Sequence, residues 1–151
     1  MKKWIMAWGA VSVLATGCAG SGRTGPDVEY LNTPAMEEQD FPFSQAVRVD
    51  KLLFLSGDIG WDPETGELVE GGIQPETRRT LENIKSTLET FGSSLDRVVK
   101  CTVFLADMSE WGAMNEVYKQ YLPNKPARSA LGTSGLALDA RTEIECIATV
   151  D

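Results

Sequence analysis

Val98-Val99-Lys100-Cys101-Thr102-Val103-Phe104-Leu105 sets Val99, Cys101, Val103 and Leu105 against Lys100, Thr102 and Phe104, an alternation with the period of a β-strand. Two residues on, Asp107 is placed to cap a helix with Glu110 three positions later, and Trp111, Met114, Val117, Tyr118 and Tyr121 recur at helical spacing. Pro123 and Pro126 stop that helix. Before the strand, Leu81, Ile84, Leu88 and Phe91 predict another helix from Pro75 to about Phe91, with Pro75 in its first turn and Gly92 as its stop. Further out, Ser44–Val49 and Leu52–Gly57 read as two strands joined by the tight turn Asp50-Lys51. Asp58 to Gly72 is a turn-rich loop around Pro63 and Gly66, and Ala127–Leu131 and Arg141–Val150 supply the last strands. The resulting order, strand-strand-helix-strand-helix-strand-strand, predicts an α+β domain whose two helices cover one face of a sheet. The other face is also apolar, and self-association is the simplest way for so small a domain to hide it.

The chain has 151 residues, 42% hydrophobic and 24% charged, enough for one domain. Lys2 and Lys3, an apolar stretch from Trp4 to Leu14 too short to span a bilayer, and the small residues before Cys18 predict an export signal over residues 1–17. Leu14-Ala15-Thr16-Gly17-Cys18 resembles the lipobox of bacterial lipoproteins, with the leucine one place farther from the cysteine than usual. The resemblance implies lipidation at Cys18, a membrane anchor without a spanning helix, and a periplasmic or cell-surface location. A plain secretory signal with an incidental cysteine is the alternative. Residues 18–40, rich in Gly, Pro, Ser, Thr and acids, are expected to form a flexible tether, leaving 41–151 as the folded domain.

The formal charge is −8, and losing Lys2 and Lys3 with the signal takes the mature chain to about −10. Such a surface repels nucleic acid. The chain contains no histidine, which excludes a His-based triad or a His-ligated metal, and the two cysteines of the mature domain cannot build a multi-thiolate site. No metal or cofactor is expected. Cys101 and Cys146 each sit in an apolar strand pattern, where they serve as small hydrophobes unless adjacent strands bring them close enough to pair.

Arg128, in Pro126-Ala127-Arg128-Ser129, is followed fifteen positions later by Glu143 in an alternating strand, so a permanent cation and a carboxylate are expected on neighbouring strands. A guanidinium grips a carboxylate through two parallel hydrogen bonds, and a nearby Glu can hold a water or move a proton. That chemistry suits a small carboxylic acid.

Seven segments in order carry a wider likeness: Phe41-Pro42-Phe43-Ser44-Gln45-Ala46-Val47, Leu55-Ser56-Gly57, Thr80-Leu81-Glu82-Asn83-Ile84, Lys100 to Leu105 with Asp107, Met114-Asn115-Glu116-Val117-Tyr118, Pro126 to Ser129, and Glu143-Ile144-Glu145. Together they resemble the RidA (YjgF) family of trimeric enamine/imine deaminases over residues 41–151. The resemblance implies a chorismate-mutase-like mixed sheet, a homotrimer, and hydrolysis of 2-imino (enamine) acids to 2-oxo acids and ammonia in a cleft between subunits, without a cofactor. It assigns Arg128 to the substrate carboxylate and Glu143 to the attacking water, with Phe43, Ser56, Asn115 and Ser129 also in the substrate pocket. Two positions depart from the family pattern: Phe43 replaces a common Tyr and Ala130 a common Cys. The alternative function is a non-catalytic trimer that binds small carboxylates at the cell envelope.

Overall fold

The Asp50-Lys51 turn closes the first hairpin, with Asp50 in the left-handed region at φ 49°, which Asp tolerates better than most residues. A computed structural model describes residues 25–151, so the export signal and the lipidation expected at Cys18 lie outside the described residues. The elements in chain order are β1 (Val28–Leu31), a four-residue α1 (Pro34–Glu37), β2 (Ala46–Val49), β3 (Leu52–Leu55), β4 (Asp58–Ile59), β5 (Trp61–Asp62), β6 (Glu67–Leu68), α2 (Ile73–Thr90), β7 (Val98–Leu105), α3 (Trp111–Tyr121), β8 (Ala127–Gly132) and β9 (Thr142–Thr149). The main sheet runs β1-β2-β3-β9-β7-β8, with β4 also paired to β9, while β5 and β6 form a separate two-stranded ribbon. All pairings are antiparallel except β7 with β8, and α3 supplies the crossover that a parallel pair requires.

One correction concerns the tether expected to reach Asp40. Val28–Leu31 is already the edge strand β1, registered antiparallel from Val28↔Val49 to Leu31↔Ala46. Asn32 and Gln45 tie the next residues down, as Gln45 N donates to Asn32 Oδ1 (2.8 Å) and Thr33 N to Gln45 Oε1 (2.8 Å). The surrounding Gly, Pro and acidic residues outweigh a four-residue strand in any reading by composition.

The two long helices sit where the periodicity places them. α2 buries Ile73, Leu81, Ile84 and Leu88. It ends in a Schellman turn: Ser93 N donates to Leu88 O (2.8 Å) and Gly92 N to Glu89 O (3.3 Å), with Gly92 at φ 82°. Asp107 caps the 3-10 turn Met108–Glu110 that leads into α3, its Oδ1 accepting from Ser109 N (2.8 Å), and not α3 itself, whose N-cap is Glu110. Glu110 does not reach back to complete a capping box, because its carboxylate is bonded to Arg141 Nη1 (2.6 Å).

Against the helices lies one face of the sheet, formed by Leu53, Leu55, Cys101, Val103, Leu105, Ile144 and Ala148, all buried. Each such Leu or Ile contributes about 1.5–3 kcal/mol by leaving water. Cys101 and Cys146 face each other on β7 and β9 with Cα atoms 4.1 Å apart and are joined as a disulfide, which decides between the two alternatives for these thiols. The opposite face carries Phe54 and Leu131, both exposed, with half-buried Phe104 and Ile147, and no helix of the described residues covers it. Among those residues no helix is long and apolar enough to cross a membrane.

Candidate active site

Arg128 lies on β8 opposite Cys101, whose side chain points into the helix-covered core, so the Arg128 side chain leaves the sheet on the helix side. There α3 meets it. Nη1 donates to Asn115 Oδ1 at 2.6 Å, and the guanidinium carbon stands 4.7 Å from the Tyr118 ring centre and 5.9 Å from that of Trp111. Trp111, Asn115 and Tyr118 are spaced i, i+4 and i+7, one face of a helix, so a cation bonded to Asn115 is bracketed by both rings. Each cation–π contact is worth about 0.5–2 kcal/mol. The group is half-buried and fixed at one edge, while a guanidinium has five donors, so N–H groups remain for a carboxylate. Burial raises the Tyr118 phenol above its usual pKa, and the Arg128 charge partly opposes this.

Glu143 occupies β9 between buried Thr142 and Ile144, so it points to the uncovered face. It is registered with Phe104 on β7 and Ile59 on β4. Its carboxylate lies against Gly57, where any Cβ would collide with it, so the glycine of Leu55-Ser56-Gly57 makes the room that the carboxylate occupies. Burial raises its pKa, and the neighbouring Glu145 charge adds to the effect.

The expectation that Arg128 and Glu143 occupy neighbouring strands is therefore corrected. β7 lies between β8 and β9, and the two side chains leave the sheet on opposite faces. Proximity in sequence does not set strand order: β8 pairs in parallel with β7, while the last strand inserts between β3 and β7. Of the other expected site residues, only Asn115 touches Arg128. Ser56 Oγ donates to Ser44 O at 2.7 Å, a tie between β3 and the segment before β2. Phe43 stacks on Phe41 with ring centres 5.2 Å apart, in an exposed segment toward the β1 end of the sheet rather than the β8 end. Ser129 is exposed, opposite Thr102.

Residues 35–150 match the family model described as endoribonuclease L-PSP. The chain belongs to the RidA/L-PSP family. Within it, the human 2-iminobutanoate/2-iminopropanoate deaminase is 44% identical over 108 residues, 71% of this chain and 79% of that protein. RidA from an Antarctic Psychrobacter superimposes with a TM-score of 0.70 at 39% identity, covering 74% of this chain and 90% of that one. TdcF of E. coli, solved with bound serine, gives 0.69 at 35% identity with the same shares of each chain.

In this RidA/L-PSP domain, Trp111 and Tyr118 belong by helical spacing to the core stripe, and the sequence pattern assigns no role to Asp58 or Glu76. The signal for the first two was their shared helix face with Asn115. Asp58 follows Gly57 on β4, accepts from Asn83 Nδ2 (3.3 Å), and has its pKa raised to about 6 by burial, a rise that the Asn83 and Ile59 hydrogen bonds oppose and the Glu143 charge slightly adds to. Buried Glu76 of α2 accepts from Arg141 N (2.6 Å) and Thr142 N (3.1 Å), pinning the start of β9 just before Glu143. Burial raises its pKa against those two hydrogen bonds.

Proposed function

We propose that the protein hydrolyses 2-imino (enamine) acids to 2-oxo acids and ammonia in a cleft completed by a second copy of the chain. The observation that carries this reading is Arg128: a guanidinium bonded at one edge to Asn115 and bracketed by aromatic rings, with donors left over for a carboxylate. The names of deaminase relatives and the serine bound to a family member of known structure support it. Because Arg128 and Glu143 leave opposite faces of the sheet, the site brings together Arg128 of one protomer and Glu143 of its neighbour. A homotrimer also covers the apolar face around Phe104 and Ile147.

Arg128 binds the substrate carboxylate and so fixes the adjacent C=N carbon. Glu143 orients a water and takes one of its protons as the oxygen bonds to that carbon, while the nitrogen gains a proton. The resulting carbinolamine collapses when its hydroxyl proton leaves and the nitrogen accepts another. The C–N bond breaks, ammonia departs, and the water oxygen becomes the keto oxygen. A carboxyl whose pKa burial has raised serves both directions of proton transfer better than an unperturbed one.

The family model bears the name of a ribonuclease, but a chain of charge −8 with Glu143 and Glu145 on the uncovered face is a poor partner for a phosphate backbone. Lipidation at Cys18 on the exported side of a membrane belongs to the same proposal, and the Cys101–Cys146 disulfide suits such an oxidising compartment. Generating 2-aminoacrylate enzymatically from serine tests the activity. The protein should accelerate pyruvate formation and Arg128→Ala should not. Equal rates with and without protein, for several imino acids, would leave the non-catalytic carboxylate binder as the better reading.

A further inference from the structure

Trp111 opens α3 with its indole 43% exposed, whereas Met114, Val117 and Tyr118 of the same stripe are buried. A single exposed Trp is unremarkable by itself. This one stands beside the carboxylate grip, 5.9 Å from the Arg128 guanidinium carbon. Three positions earlier Met108, 47% exposed, lies against Gly132 of β8, where a Cβ would stand 2.9 Å from its Cγ. Residues three apart on a helical turn share a face, so Met108 extends the surface that Trp111 begins. Arg128 is thus held at one edge by the polar Asn115 and flanked by an apolar ledge.

A 2-imino acid carries its side chain on the carbon next to the carboxylate. With that carboxylate on Arg128, the side chain falls within reach of a ring already in contact range of the guanidinium. We propose that Trp111, with Met108 behind it, selects 2-imino acids bearing a large apolar side chain, aromatic or branched aliphatic, over those with small or polar ones. The assignment rests on the deaminase reading above and names its substrate class. One sequence feature agrees with it: Ala130, two places from Arg128 on the same side of β8, offers no polar group.

The test uses imino acids generated in situ by an amino-acid oxidase from alanine, leucine and phenylalanine, with ammonia release as the readout. The wild-type protein should show the higher kcat/KM on the leucine- and phenylalanine-derived substrates. Trp111→Ala should lower that preference about tenfold, the size expected for losing an aromatic contact and its buried area, and Trp111→Phe should largely retain it. A uniform loss on all three substrates would make Trp111 a mere support for Arg128 and overturn the proposal. So would an unchanged preference. Calorimetric Kd values for pyruvate, 4-methyl-2-oxopentanoate and phenylpyruvate separate the two readings. If no imino acid is turned over but tighter binding of the larger 2-oxo acids depends on Trp111, the specificity assignment stands and the deaminase reading falls.

Discussion

At Arg128 a planar guanidinium lies against the Tyr118 ring while one edge donates to Asn115, and only a flat group with several donors satisfies both contacts and a bound carboxylate. Arg128→Lys keeps the charge but loses the fork, so kcat/KM for 2-imino acids should fall by about a hundredfold or more while the fold is unchanged by circular dichroism. A variant within threefold of wild type would show that charge alone suffices. Asp58 makes a different prediction. Its pKa is raised from 3.8 to about 6 in the fold, so its protonated form contributes stability that is complete below the unfolded value and is lost as pH rises through about 6. Asp58→Asn stays neutral and keeps an oxygen for Asn83. It should raise the Tm by a few degrees at about pH 8 and hardly change it at about pH 4. Equal shifts at both pH values would contradict this origin. Arg128 and Glu143 stand out in the sequence because each sits in a motif of distinct composition. Asp58 does not, since its pKa is set by burial against the opposing Asn83 hydrogen bond, which no local pattern reveals.

Strands β7 and β9 are interior neighbours in the sheet, registered from Val98↔Ala148 to Leu105↔Thr142, and the Cys101–Cys146 disulfide crosses them 45 residues apart in sequence. A loop of that length predicts about 4 kcal/mol of stabilisation by restricting the unfolded chain. Replacing both cysteines with Ala should lower the unfolding free energy measured in urea by an amount of that order. Full retention of stability would argue that the bridge contributes little. These elements show what sequence could and could not provide. α2, β7 and α3 were readable because long periodic runs average out local noise, and Gly92 marked the stop of α2. β1 escaped because four residues among Gly, Pro and acids carry too little period. The order of β7, β8 and β9 also escaped, since it follows from which faces pack on the helices and not from any one segment.

Across the whole protein, one face of the sheet is packed under α2 and α3, while the other presents Phe54, Phe104, Ile147 and Leu131. If copies of the chain associate through that face, Phe104→Glu should shift the mature protein to a smaller species in analytical ultracentrifugation and remove activity although Arg128 and Glu143 are untouched. An intact, active oligomer would place the interface elsewhere. The expectation of self-association comes from an apolar pattern on both faces of a small sheet, and one of those faces has no helix of the described residues over it. Which residues would meet across an interface depends on how a second chain docks, which no single sequence shows. Arg128 and Glu143 leaving opposite sides of the sheet has a genetic consequence. If the cleft is shared between protomers as proposed, assemblies of Arg128→Ala chains alone, or of Glu143→Ala chains alone, contain no complete one. Co-expressed in equal amounts, the two inert alleles should rescue one another: random mixing pairs an intact arginine with a neighbour's intact glutamate in about a quarter of the clefts, and activity returns in that proportion.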